Sequence, residues 1–167
     1  MEIAIQAVPI EDKQVLRNLL ELYSHDFSEF DGADVDDHGL YGYPYYFDDY
    51  WTEAGRHPFF IRVDGRLAGF VMVRDRTNTG IAHEIAEFFI MRKYRRHGVG
   101  KNVAWRIFDM LAGKWRVSEV EENKSAQTFW RTVISEYTDG KYDEIKVPGL
   151  QGPVQEFESR GKGESVP

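Results

Sequence analysis

Residues 2–8 alternate apolar and polar side chains, the period-two pattern of a half-buried strand. Pro9, Glu11 and Asp12 then suit a helix start, and Val15, Leu16, Leu19, Leu20 and Tyr23 recur at helical spacing. Residues 24–57 read as irregular, with one short helix around 46–54. Residues 59–63 and 67–74 read as two strands joined at Asp64-Gly65, a hairpin turn signal. Thr77-Asn78-Thr79-Gly80 is the next turn and leads into a strand over 81–91. Val99, Val103, Ile107, Met110 and Leu111 mark one face of a helix over 99–112 that stops at Gly113. Residues 115–120 read as a strand. Ala126, Phe129, Trp130, Val133, Ile134 and Tyr137 mark a second amphipathic helix ending near Gly140. Residues 142–147 and 153–159 read as a closing pair of strands.

This order predicts an α/β fold with a mixed, mostly antiparallel central sheet flanked by helices. It predicts one domain over 1–159 and a polar C-terminal tail over 160–167.

Between the strand ending at Met91 and the helix beginning at Val99 lies Tyr94-Arg95-Arg96-His97-Gly98-Val99-Gly100-Lys101. A helix N-terminus exposes unpaired N–H groups and the positive end of the helix dipole. Two glycines let the backbone approach an anion, and arginines add charge-assisted hydrogen bonds. The segment reads as a pyrophosphate cradle. It is not a Walker loop, because Asn102 follows Lys101 where Ser or Thr belongs. It is not the dinucleotide fingerprint, which needs three glycines.

The spacing Arg95-x-x-Gly98-x-Gly100 resembles the acetyl-CoA loop of the GNAT superfamily of N-acetyltransferases. The preceding Glu84-Ile85-Ala86-Glu87-Phe88-Phe89-Ile90-Met91 resembles that family's fourth strand, and Asn123-x-x-Ala126-x-x-Phe129-Trp130 its second motif. The resemblance implies a sheet splayed between the fourth and fifth strands, with acetyl-CoA in the gap. It implies a pyrophosphate site at Arg95, Arg96, His97, Gly98, Val99, Gly100 and Lys101. Backbone groups of Phe88, Phe89 and Ile90 would pair with the pantetheine arm, and Asn123 would bond its amide; Asn123 also suits a plain helix cap. Many members carry a general base where Glu84 stands; Glu87 is the second candidate. Many carry a thiolate-protonating Tyr where this chain has Trp130. Indole is no practical acid, so Trp130 packs in the core or walls the CoA slot, and water or Tyr137 is left to supply the proton. The resemblance also implies a homodimer as a candidate assembly.

Composition narrows the setting. The 167 residues carry a net charge of −7, which argues against nucleic-acid binding. No apolar run is long enough to span a membrane, and the start lacks the features of a signal peptide. There is no cysteine, hence no disulfide, no thiolate nucleophile and no cysteine–zinc site. The five histidines show no metal spacing. A cytoplasmic location is the expectation.

The charge is unevenly distributed. Residues 18–54 hold ten acids and no Lys or Arg, interleaved with Tyr23, Phe27, Phe30, Tyr41 and other aromatics. Residues 88–108 hold only basic charge. Carboxylates beside aromatic faces suit an ammonium group. The expected chemistry is direct acetyl transfer from acetyl-CoA to the primary amine of a cationic acceptor: a polyamine or other small-molecule amine, an aminosugar, or a basic peptide terminus or Lys. Two alternatives stand: a non-catalytic acyl-CoA sensor on the same fold, and an acidic-aromatic module that docks a basic protein. Turnover separates the first and absence of CoA affinity the second.

Overall fold

The computed structural model describes residues 1–76 and 79–161. The elements are β1 (Ile3–Ala7), α1 (Lys13–Asp31), α2 (Asp49–Thr52), β2 (Arg56–Val63), β3 (Arg66–Asp75) and β4 (His83–Ile90). They continue with α3 (Val99–Met110), β5 (Lys114–Ser118), α4 (Lys124–Thr138), β6 (Asp143–Ile145) and β7 (Val154–Glu158). All seven strands join one sheet in the order β1-β2-β3-β4-β5-β7-β6. Every neighbouring pair is antiparallel except β4–β5. This is the expected mixed, mostly antiparallel α/β sheet.

Alternation along the strands feeds two apolar layers. Ile61, Val71, Ile85 and Val117 pack with Val103 and Ile107 of α3 and Trp130 and Ile134 of α4. On the opposite face Phe60, Phe70, Met72 and Phe89 pack with Leu16 and Leu20 of α1 and with Tyr50. Asp64 and Gly65 both take positive φ, 50° and 76°, so the β2–β3 hairpin closes through the tight turn their sequence signals.

Several expectations need correction. The segment after Tyr23 is not irregular: α1 runs on to Asp31, where Gly32 stops it at φ 69°. Phe27 continues the apolar face, with its ring 5.7 Å from Tyr23 and 5.8 Å from Phe30. The strand expected over 81–91 begins only at His83, and Thr77 and Asn78 of the turn before it lie outside the described residues. The strand expected over 142–147 spans three residues. The tail is anchored where it starts: the Arg160 amide donates to the Tyr137 hydroxyl at 2.9 Å, and its guanidinium stacks 4.1 Å from that ring. Residues 162–167 lie outside the described residues.

Two irregularities of β4 shape everything downstream. First, β4 and β5 pair only at His83↔Trp115 and Glu84↔Arg116, then diverge. Second, Met72 pairs with Glu87 and Val73 with Ile85, so Ala86 has no partner on β3. That is a β-bulge, which bends and twists the strand locally. Ile85 packs into the α3/α4 layer, whereas Ala86 packs into the α1 layer. Strict alternation would put Glu87 on the face of Ile85. The extra residue turns it to the face of Ala86 and Phe89 instead.

β3 closes on β4 through Gly69, where an added Cβ would lie 1.9 Å from the Phe89 carbonyl oxygen. Gly69→Ala is expected to destabilise by about 2–3 kcal/mol through this forced displacement. Urea denaturation checks it, and a change within about 0.5 kcal/mol, the size of an ordinary surface substitution, would contradict it.

Candidate active site

Divergence of β5 leaves the edge of β4 from Ile85 onward without a strand partner, while β3 holds its other edge. The freed backbone groups face a cleft of about 700 Å³. Its walls are Phe88, Phe89 and Ile90, the side chains of Tyr23 and Phe27 on α1, and the start of α3. A second cleft of about 480 Å³ shares Tyr23, Phe27, Phe88, Asn123, Ala126 and Trp130 with the first. It continues to Glu87, Ser118 and Glu119.

The basic loop ends in a helix N-terminus that opens on the larger cleft. Arg96 and Gly98 take positive φ, 63° and 77°. Gly98 caps α3 without any side-chain hydrogen bond. The first amide bonded back to the cap is Asn102 N–H, to the Gly98 carbonyl at 3.0 Å. The amides of Val99, Gly100 and Lys101 therefore have no helical partner. Gly100 packs under α4, where an added Cβ would come 3.1 Å from the Phe129 ring.

The side chains of the loop have diverse duties. Arg95 Nε donates to the Ile90 carbonyl at 2.6 Å, and its Nη2 to Asp26 Oδ2 at 2.5 Å. Arg92 donates to the other Asp26 oxygen at 2.7 Å. Burial raises the Asp26 carboxyl, but the hydrogen bonds and charges of Arg95 and Arg92 outweigh it and hold the group below the usual range. Lys101 reaches Glu136 at 2.8 Å. Arg96 lines the cleft and makes no ion pair among the described residues. His97 is exposed, and Val99 is in the core and offers only its backbone.

Asn123 caps α4, accepting from the Ala126 amide at 3.0 Å, and still lines both clefts. Trp130 is 6% exposed, stacks edge-on to Phe88 at 4.9 Å and walls both clefts. Tyr137 is no proton source for either: its hydroxyl donates to Asp109 at 2.6 Å, and burial with that bond pushes it up to about 12.

The two candidate bases differ sharply. Glu84 Oε2 accepts from Arg74 at 2.6 Å and from Arg76 at 2.9 Å. Burial acts against ionisation, but the two guanidiniums overcome it and lower the pKa of this carboxyl. Glu84 lines neither cleft among the described residues. Glu87 lines the second cleft and accepts from the Tyr46 hydroxyl at 2.9 Å. Burial raises its carboxyl against the opposing hydrogen bonds of Tyr23 and Tyr46 and the charge of Arg74.

Sequence reasoning missed Asp26 because it ended the first helix too early. It also missed Glu119, an acid at the alternate position after Trp115 and Val117, where a core side chain is due. Burial pushes Glu119 up to about 8, with the Gln155 hydrogen bond opposing, Glu144 adding to the rise and Arg131 opposing.

The unpaired β4 edge, the free amides of α3 and the cleft they line fit a ligand with an amide-bearing arm and a pyrophosphate. Comparison with known proteins accounts for the arrangement. The family model for "Acetyltransferase (GNAT) family" matches residues 16–133. The chain belongs to the GNAT acetyltransferases, enzymes that draw their acetyl group from acetyl-CoA. An acetyltransferase from Thermus thermophilus superposes with a TM-score of 0.71 at 11% identity, over 95% of this chain and 97% of that one. The PaiA N-acetyltransferase from Thermoplasma acidophilum, solved with coenzyme A, gives 0.64 at 12% over 95% and 99%. Spermidine N-acetyltransferase from Vibrio cholerae, with CoA and spermine, gives 0.60 at 13% over 92% of each chain. No curated protein matches in sequence.

A carboxyl raised by burial binds its proton more tightly in the folded than in the unfolded state. Stability attributable to Glu119 therefore falls as pH rises from the ordinary Glu range toward its folded pKa of about 8. Glu119→Gln mimics the protonated form. It is expected to raise Tm at pH 8 and leave it unchanged at pH 4; equal Tm values at both would contradict the assignment.

Proposed function

We propose that this protein transfers acetyl from acetyl-CoA to the primary amine of a cationic acceptor, with Glu87 as the general base. The observation that carries this reading is Glu87 itself. The bulge at Ala86 turns it onto the wall of the second cleft, next to the shared residues where the two clefts meet. Its raised pKa suits it to accept a proton from an ammonium or a reacting amine. Glu84, engaged by two arginines, is better suited to holding β3 to β4.

Acetyl-CoA, when bound, supplies an acetyl group activated as a thioester. The free amides of Val99, Gly100 and Lys101, with the unpaired Arg96, would hold its pyrophosphate. The open backbone edge of Phe88, Phe89 and Ile90 would hold the pantetheine arm, and Asn123 still has a side-chain N–H₂ to offer it. Trp130 and Phe88 wall the arm and keep water from its end. Tyr46 orients Glu87 toward the cleft. Arg95, locked to Ile90 and Asp26, joins the loop to α1 and acts on the ligand through that position.

A cationic acceptor is favoured by the walls of the second cleft, where Asp31 joins Glu87 and Glu119. Most other acids of the 18–54 segment serve the fold. Glu21 accepts from the Tyr41 and Gly42 amides, Asp36 closes its own turn, and Asp48 pairs with Lys13. That the structural neighbour from Vibrio cholerae binds spermine supports an amine of this kind.

Thiol release from acetyl-CoA in the presence of amines of graded charge tests the reaction. Cationic amines are expected as the best acceptors; a preference for neutral or acidic amines would overturn the reading. Glu87→Gln is expected to lower kcat/KM about 10²- to 10³-fold and to remove the loss of rate on acidification that Glu87 protonation causes. Glu84→Gln should lower Tm and keep that limb of the pH profile. The reverse pattern would make Glu84 the base. For the cradle, Arg96→Ala is expected to weaken acetyl-CoA binding about tenfold at unchanged Tm, whereas Arg95→Ala lowers both affinity and Tm. Calorimetric titration and thermal denaturation separate the two effects.

A further inference from the structure

The second cleft holds a carboxyl, Glu119, to which the transfer step itself assigns no role. Glu119 follows β5, bound at its amide to the Pro153 carbonyl at 3.2 Å. The residue is 9% exposed, yet it lines the cleft from the β5 side while Glu87 lines it from β4. Glu119 Oε1 accepts from Gln155 Nε2 at 3.0 Å, and the same nitrogen donates to Glu144 Oε1 at 2.9 Å. Two acceptors in this cluster, Glu119 Oε2 and Gln155 Oε1, are buried with no hydrogen-bond partner. The nearby guanidinium of Arg131 is spent on Glu144, at 2.7 and 3.0 Å.

With Glu119 ionised, acceptors outnumber donors around it. A buried acceptor left without a donor costs about 1–3 kcal/mol. A ligand that relieves this must bring hydrogens and positive charge. An alkylammonium does both, since it carries three N–H donors and no acceptor. Glu87 on β4 and Glu119 just past the end of β5 line one cleft, so a single elongated molecule can meet both.

We propose that Glu119 is the subsite for the distal ammonium of a dibasic acceptor, whose reacting amine sits at Glu87 across the cleft. This rests on the assignment of Glu87 as base and extends it from cationic amines in general to diamines and polyamines. Burial pushes the Glu119 carboxyl up to about 8, which favours its protonated form in the free protein at neutral pH. An ammonium beside the Glu119 carboxyl stabilises its ionised form, so the proton leaves as the ligand enters. Glu144, Arg131 and Gln155 face Glu119 from β6, α4 and β7, and are the other groups that set its charge.

The test compares 1,4-diaminobutane with n-butylamine, which have the same carbon chain and differ by one ammonium. The native enzyme is expected to have a KM for the diamine about tenfold or more below that for the monoamine, the size of one charge-assisted hydrogen bond. In Glu119→Gln the ratio of the two KM values should fall toward one. A ratio that survives in the variant, or a native enzyme with no such preference, overturns the subsite. A rate on both amines that is indifferent to Glu87→Gln instead overturns the base assignment beneath it. A second readout is independent of turnover. Calorimetry of 1,4-diaminobutane binding at pH 7, in buffers of different ionisation enthalpy, should show more protons released by the native protein than by Glu119→Gln. Equal release contradicts the proposal.

Discussion

The structure depends on one broken ladder. After two residue pairs β4 gives up β5 but keeps β3, so half of a central strand stands open inside a folded sheet. Buried backbone groups must be paired, and an interior strand with a free edge is costly unless something fills it. The divergence creates the cleft in which a coenzyme arm can act as the missing strand. The bulge at Ala86 is a second irregularity of the same strand, and through it Glu87 moves from the face of α3 and α4 to the face of α1. The open cleft and the placement of Glu87 thus come from two irregularities of one strand.

Holding such a gap open takes fixed charges at its rim. Arg95 ties the loop to the end of β4 through the Ile90 carbonyl and to α1 through Asp26. Arg92 uses the other oxygen of the same carboxylate. At the closed end of the gap, Glu84 gathers Arg74 and Arg76 at the last pair that β4 makes with β5. These ion pairs consume residues that look like binding chemistry in the sequence. What remains free of ion pairs among the described residues is smaller: the first-turn amides of α3, the side chain of Arg96, and the carboxyls of Glu87 and Glu119, which are hydrogen-bonded only to neutral groups.

Much of this was legible in the chain. The Gly-spaced basic loop, the helical apolar faces, the Asp64-Gly65 hairpin and the order of elements all rest on local spacing, and local spacing survives folding. The first helix could have been followed further, because Phe27 and Phe30 keep the apolar phase of Leu19, Leu20 and Tyr23; the polar run Ser24-His25-Asp26 masked it. The bulge could not be read. It is a relation between β3 and β4, and nothing in His83–Ile90 alone says that Ala86 lacks a partner. Without it, alternation assigns Glu84 and Glu87 to opposite faces, when both in fact turn toward the α1 side. Glu119 was open to detection as an acid in step with Trp115 and Val117, but its orphaned oxygen depends on Gln155 and Glu144, distant in sequence.

The most direct test of the open edge is amide hydrogen exchange with and without acetyl-CoA. The structure predicts new protection in residues 87–90 of β4 and in the first turn of α3, at Val99–Lys101, with little change in β2 or β3. Protection absent from β4 while acetyl-CoA binds would mean that the coenzyme does not complete the sheet, and would contradict the account.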